Sequence, residues 1–358
     1  MGGMERQLLS IADGYTQRGN EVCVVTLDNE APEPYFAANN AIRFIGLDVG
    51  DPAKRATLKQ RYERQVKVYK LLKENQIDLS LAFMTGSFWY SMLPSRFFRI
   101  PIILAERNGP SIYNRTSVKK FRHVIFLSMV MSSAITVQFE NYRREYPFYL
   151  RRRITTIPNR IPSFSPHSQS RGLSLRYLFA GRLSNQKQIL QLISAFIEFH
   201  KSHNETSLTV FGEGELLADI NEIIEQANAT QYIKINSPAK EIETAFTDAD
   251  VMLAPSIWEG FPNSVAEALA FGLPVGGFDD CEGIRDLVVD RRNGWLIERK
   301  KEVDPCYELL RTIYLDRESI NEKSKAAIES MRQYQGEESN EKWTQLAQRL
   351  VSQRFNHR

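Results

Sequence analysis

The sequence is poor in the residues that build metal centres and disulfide frameworks. Its 358 residues hold three cysteines, Cys23, Cys281 and Cys306, scattered and without Cys-x-x-Cys spacing. That argues against a disulfide scaffold or structural zinc and fits a reducing cytosol. The five histidines include no His-x-x-x-His pair, so no metal site is apparent. Long apolar runs are missing too. The uncharged stretch Val124–Phe139 falls short of the ~20 residues of a membrane span. Ser128, Ser132, Ser133 and Thr136 break it, and it reads as a buried helix end followed by the strand 134–137. Near the start, Arg6 and Asp13 interrupt what would be the apolar core of a signal peptide. A net charge of only +3 is too weak to imply a nucleic-acid partner.

What is present is a soluble α/β composition, 42% apolar and 25% charged, in a chain long enough for two domains. Strand and helix patterns alternate throughout, which indicates parallel sheets covered on both faces. In the first half, strands are predicted over 21–27, 42–47, 77–83, 100–105 and 135–137, with helices over 52–74 and near Phe88 and Lys119. The second half predicts strands over 175–180, 208–211, 232–235, 251–254, 274–278 and 294–297, separated by helices. The expected organisation is a domain over 1–160, a linker over 161–172, a second domain over 173–335 and a closing helix over 336–358 that packs back on the first domain. Both domains read as doubly wound, Rossmann-like and facing a cleft. Met4–Gln17 reads as an amphipathic helix behind a Gly2-Gly3 loop. A strand is expected before such a helix in a doubly wound sheet, so the frame is expected to continue upstream of Met1.

The most informative stretch is Trp258-Glu-Gly-Phe-Pro-Asn-Ser-Val-Ala-Glu-Ala-Leu-Ala270. It follows an apolar run ended by Pro255 and leads into an Ala/Leu-rich helix closed by Gly272-Leu-Pro274. Strand, Gly/Pro loop and helix in that order deliver Glu259 and helix N-terminal N–H groups to the C-terminal edge of a sheet, where open α/β folds bind ligands. A carboxylate accepts well from sugar hydroxyls, and backbone donors suit phosphate. Ser264-Val-Ala-Glu267 is also a capping box, in which Glu267 would do no more than reach back to the Ser264 N–H.

Two further loops join it. Phe179-Ala-Gly-Arg-Leu-Ser-Asn-Gln-Lys187 places Arg182 and Lys187 at a loop-to-helix junction, the chemistry a diphosphate needs. Val210-Phe-Gly-Glu-Gly214 is a second glycine loop after a strand. Together with Gly2-Gly-Met-Glu-Arg6, Gly272-Leu-Pro274 and Asn293-Gly294, these stretches resemble the retaining family-4 glycosyltransferases of GT-B fold.

The resemblance implies a glycosyltransferase moving a sugar from a nucleotide-sugar, most simply a UDP-sugar, to a cell-envelope glycan or lipid-linked acceptor such as lipopolysaccharide, O-antigen or capsule. It implies that Arg182 and Lys187 hold the donor diphosphate and neutralise the leaving nucleotide. Glu259 would contact the transferred sugar, the backbone of Gly260, Phe261, Pro262, Asn263 and Ser264 the sugar and phosphate, and Glu267 the ribose. Gly2 and Gly3 would approach the phosphate from the first domain, with Gly212 in the second glycine loop. No metal or other cofactor is implied. Two positions depart from the family pattern: Gln188 stands where Gly is common, and Arg107, in Glu106-Arg-Asn108, where many members carry His. A catalytically inactive sugar-nucleotide binder is the alternative, distinguished by UDP binding without turnover.

Lys119-Lys120, Arg122, Arg143-Arg144 and Arg151–Arg153 crowd one third of the chain and suit a solvated face or an anionic membrane surface, hence a peripheral cytosolic location. Glu259 and Lys187 are expected on exposed loops, so that replacing either leaves the fold intact.

Overall fold

A computed structural model of the chain describes residues 3–27, 38–51, 56–115, 117–164, 174–238 and 242–356. Residues 165–172 of the predicted linker, and Gly2, lie outside them. The chain divides into two compact units, Met1–Arg160 with Glu337–Arg358, and Ile161–Gly336.

In the first unit the order is α1 (Gly3–Thr16), β1 (Cys23–Thr26), β2 (Arg43–Gly46), α2 (Leu58–Glu74), β3 (Ser80–Phe83), α3 (Met84–Phe97), β4 (Ile102–Ala105), α4 (Ile112–Arg115), α5 (Arg122–Met129), β5 (Ala134–Val137), α6 (Tyr142–Glu145), α7 (Phe148–Arg151) and β6 (Ile154–Thr156). The second unit runs β7 (Leu175–Ala180), α8 (Ile189–His200), β8 (Thr206–Phe211), α9 (Leu217–Gln226), β9 (Ile233–Asn236), α10 (Ile242–Thr247), β10 (Val251–Ala254), α11 (Asn263–Phe271), β11 (Val275–Phe278), α12 (Ile284–Leu287), β12 (Gly294–Ile297), α13 (Pro305–Leu315) and α14 (Ile320–Met331). The last helix, α15 (Glu338–Asn356), returns to the first unit.

Every strand pairing is parallel. In the second unit the sheet order is β12-β11-β10-β7-β8-β9. The chain starts in the middle, winds to one edge, returns, and winds to the other. The order therefore reverses between β7 and β10, which makes their C-terminal ends a topological switch point. β10 and β11 are buried along their whole length, as strands covered on both faces must be. Leu175, Tyr177, Phe179, Leu208 and Val210 pack against Phe196 and Phe199 of α8 and Leu309 of α13.

The first unit holds a four-stranded sheet, β3-β4-β5-β6, and a separate pair, β1-β2. Parallel strands in sequential order require right-handed crossovers that all fall on one face, so α3, α5, α6 and α7 share a side. Ile103, Ala105 and Ala134 on the other side pack against Ile11 of α1 and Trp343, Leu346 and Leu350 of α15. Local signals set the helix starts. Thr57 and Gln60 close a capping box on α2, and Asp304 caps α13 by accepting from the N–H groups of Cys306 and Tyr307.

Two expectations fail here. α1 begins at Gly3, so Gly3 is the first helical residue and not part of a loop. The helix end near Val124 is not buried: Val124, Leu127 and Val130 face solvent, while only Ile125 and Met129 of α5 are inside. No helix among the described residues is long and apolar enough to cross a membrane.

Candidate active site at a topological switch point

The loops after β7 and β10 meet. Lys187 closes a 3₁₀ turn, Asn185–Lys187, after β7, and its Nζ lies 2.5 Å from Glu259 Oε1 in the turn after β10. Backbone contacts hold the two loops in register: the Ile257 N–H donates to Gln186 O at 2.9 Å, and Gln186 Nε2 to Trp258 O at 2.7 Å. Residues 72 apart in sequence thus form an ion pair at the switch point, where a ligand would sit. Glu259 is only 8% exposed, so the expectation of an exposed loop acid is wrong. The neighbouring turns bury it. Arg182, by contrast, is exposed and makes no side-chain hydrogen bond or ion pair among the described residues, which leaves its guanidinium available.

The glycines of this edge are forced by close packing. A Cβ on Gly212 would lie 2.0 Å from Gly181 O, and one on Gly214 would lie 2.2 Å from Leu183 O. Gly212 therefore lets the β8 loop press against the β7 loop that carries Arg182. Gly283 has φ +77° and sits on the Glu259 turn, where a Cβ would come within 2.6 Å of Gly260 O.

α11 begins at Asn263, with Pro262 in the N-cap position and no side-chain cap. The Ser264–Glu267 capping box is therefore absent; the helix starts two residues too early for Ser264 to cap it. Ser264 has no partner among the described residues for its N–H or hydroxyl, and Glu267 is buried in the first turns of the same helix. Pro262 carries no N–H, so of Phe261 to Ser264 only the other three could donate.

The one Asp-x-Asp string, Asp248-Ala-Asp250, is at the opposite, N-terminal edge of the sheet. Asp250 accepts from the Arg176 N–H at 2.8 Å and from its guanidinium at 3.0–3.1 Å. Its carboxylate ties β10 to β7 and faces away from the switch point. No cluster of His, Cys, Asp and Glu fit for a metal occurs among the described residues.

In the first unit, Arg107 follows β4 at the C-terminal edge of its own sheet. Its Nη1 donates to Asn159 Oδ1 at 2.8 Å, and its guanidinium lies over the rings of Phe83 at 4.8 Å and Trp343 at 5.4 Å. Nε and Nη2 are buried with no acceptor among the described residues. Burial pulls its pKa down to about 10, with Glu106 opposing, so the group stays charged at neutral pH. Two dry N–H donors at a strand end are groups awaiting an anion or a hydroxyl. Beside it, Glu106 is buried and accepts from the hydroxyls of Tyr113 and Tyr146. Burial pushes the Glu106 carboxyl above its usual range.

Two family descriptions match the chain in succession, Glycosyltransferase Family 4 over residues 1–162 and Glycosyl transferases group 1 over 165–333. The chain belongs to the family-4 glycosyltransferases. Among curated proteins the chain is similar to the UDP-N-acetylglucosamine–peptide N-acetylglucosaminyltransferase GtfA subunit of Streptococcus pneumoniae, 32% identical over 186 residues. That match takes in 52% of this chain and 36% of the relative, so the chain spans about a third of that protein's length. Among solved structures, the pneumococcal GtfA bound to UDP and GlcNAc superposes with TM-score 0.69 at 22% identity, over 80% of this chain and 60% of that one. Sucrose-phosphate synthase from Thermosynechococcus elongatus gives 0.82 at 16%, over 98% and 94%. These likenesses establish the GT-B fold.

In this chain, the Gln188 departure has a backbone reason to be unusual. Gln188 starts α8 with φ +52°, the left-handed region that favours glycine. Arg299 compensates, a residue without any local motif. Its guanidinium donates to Gln188 Oε1, to Pro255 O at 3.1 Å and Ser256 O at 2.8 Å, and its Nε to Asp280 at 2.9 Å. It also stacks 3.6 Å above the Phe278 ring. Arg299 thus clamps the ends of β10 and β11 to the start of α8. It sits after β12, and nothing in its own neighbourhood of sequence signals that role.

Proposed function

We propose that the chain transfers a sugar from a UDP-sugar to a glycan or lipid-linked acceptor with retention of anomeric configuration, without a metal ion. The Lys187–Glu259 pair at the switch point, beside the unengaged Arg182, is the observation that carries this reading. Departure of UDP places negative charge on the diphosphate. Lys187, already fixed there by Glu259, stabilises that charge without reorganising, commonly the largest catalytic contribution, and the unengaged Arg182 guanidinium on the same loop adds a second cation. Glu259 holds Lys187 in place, and its carboxylate is of the chemistry that accepts from sugar hydroxyls. The first turn of α11 supplies N–H donors for phosphate or sugar oxygens, and Glu267 a carboxylate for ribose. The unsatisfied Nε and Nη2 of Arg107 suit an oxygen of either substrate. The UDP donor is supported by GtfA, solved with UDP and GlcNAc, and an envelope acceptor by the poly(glycerol-phosphate) alpha-glucosyltransferase of Bacillus subtilis, 25% identical over 202 residues.

A panel of UDP-sugars, scored for UDP release with and without EDTA, tests the proposal. One donor should be turned over in EDTA, and proton NMR of the product should show the donor's anomeric configuration. Lys187→Ala should lower kcat by about two to three orders of magnitude, the usual loss when one preorganised charge is removed. UDP binding by calorimetry with no turnover of any donor would mark the chain as an inactive binder instead.

A further inference from the structure

The sheet face that carries α3, α5, α6 and α7 has an unusual surface. Between Met84 and Arg153 the sequence holds twelve Lys and Arg against three Asp and Glu, in a chain whose whole net charge is +3. One of those three acids, Glu106, is buried beneath the face. Lys119, Lys120, Arg144 and Arg152 are exposed and make no side-chain ion pair or hydrogen bond among the described residues.

The same helices hold large apolar side chains out in solvent. At the start of α5, Phe121, Val124 and Leu127 recur every third residue on its outer side and are 59%, 57% and 68% exposed. Phe148, which opens α7, is 81% exposed. The two helices are neighbours, because Phe126 of α5 packs against Tyr146, two residues before Phe148, with ring centroids 5.8 Å apart. On α3, Leu93 and Phe97 are exposed too, where they line a groove with Tyr69 of α2. The inner residues Ile125, Met129 and Leu150 fill the core, so the outer ones are surplus to folding.

We propose that this face docks on an anionic lipid bilayer, with Phe121, Leu127 and Phe148 entering the headgroup–acyl boundary and the Lys/Arg residues meeting lipid phosphates. Positive charge alone would suit nucleic acid, but solvent-facing Leu, Val and Phe gain nothing from a phosphate backbone and do gain from hydrocarbon. A second copy of the chain is disfavoured because the face would oppose its own positive charge. The inference does not depend on sugar transfer.

Sedimentation of the full chain with vesicles tests it. Capture is expected on phosphatidylcholine mixed with phosphatidylglycerol, weak on phosphatidylcholine alone, and lost in high salt. Lys119→Ser with Lys120→Ser should weaken capture by about thirty-fold at low salt. Phe121→Ser with Leu127→Ser, which leaves the charge untouched, should weaken it by about ten-fold as well. Circular dichroism and the melting temperature should remain those of the parent. Emission of Trp89 on α3 should shift to the blue only with the mixed vesicles. No capture, equal capture on both vesicles, or capture unaffected by the apolar pair would overturn the proposal. So would binding to a DNA duplex or self-association without vesicle capture.

Discussion

At position 188 two opposing effects act on one residue. A side chain in the left-handed region costs about 1 kcal/mol, while a hydrogen bond from a charged donor such as Arg299 returns about 1.5–3 kcal/mol. Gln188→Ala keeps the strain and loses the bond; Gln188→Gly loses both. Urea unfolding should therefore rank wild type above Gly and Gly above Ala, with Ala below Gly by about 1 kcal/mol. An Ala variant as stable as Gly would remove the strain argument. Glu259 presents a similar contrast. Its carboxylate is buried and paired, so Glu259→Ala strands Lys187 and should destabilise as well as inactivate, whereas Glu259→Gln retains an acceptor for Lys187 and should lose turnover with less loss of stability. Equal activity in Glu259→Gln and wild type would take Glu259 out of the site. Glu106 has a pH signature. Burial raises its carboxyl pKa, and a group raised on folding contributes fully below its unfolded pKa and loses that contribution as pH climbs through the folded value. Glu106→Gln should accordingly raise Tm at pH 8, and the gain should vanish toward pH 4. A constant difference across that range would contradict the buried-carboxyl reading.

Elements were legible to different degrees. β7, β10 and β12 match their predicted bounds, because a parallel strand covered on both faces is a continuous apolar run. β6, only Ile154–Thr156, was missed; three residues carry no periodicity. Between β7 and β8 the single expected helix is preceded by a 3₁₀ turn, and the left-handed Gln188 separates that turn from α8. α5 was found, but its outer side was misjudged as buried, since apolar residues on both sides of a helix do not say which is covered. The glycine loops show what element packing adds. Gly212→Ala would place a methyl into the Gly181 carbonyl, so it should cost about 2 kcal/mol or more and lower Lys187-dependent turnover with it. A Gly212→Ala protein with normal Tm and kcat would mean that the two loops can part freely.

For the molecule as a whole, the cysteines gauge the packing. Cys281 and Cys306 are buried, and burial pushes the Cys306 thiol up to about 12 and the Cys281 thiol further, whereas Cys23 is half-buried. A thiol-disulfide reagent at pH 8 should label no more than Cys23 in the native chain and all three in urea; fast native labelling of Cys281 would contradict the packing around Glu259. At this scale the sequence by itself determined the α/β class, the strand–loop–helix order around Glu259 and the family, because each is written in local runs and spacings. Which strands are neighbours, and hence that Lys187 meets Glu259, was decided by tertiary structure. So were the clamp by Arg299 and the choice of which apolar residues stay in solvent. The physical reason is common to all: each depends on close approach between segments far apart in sequence, and burial, carbonyl packing and ion pairing act on distance in space.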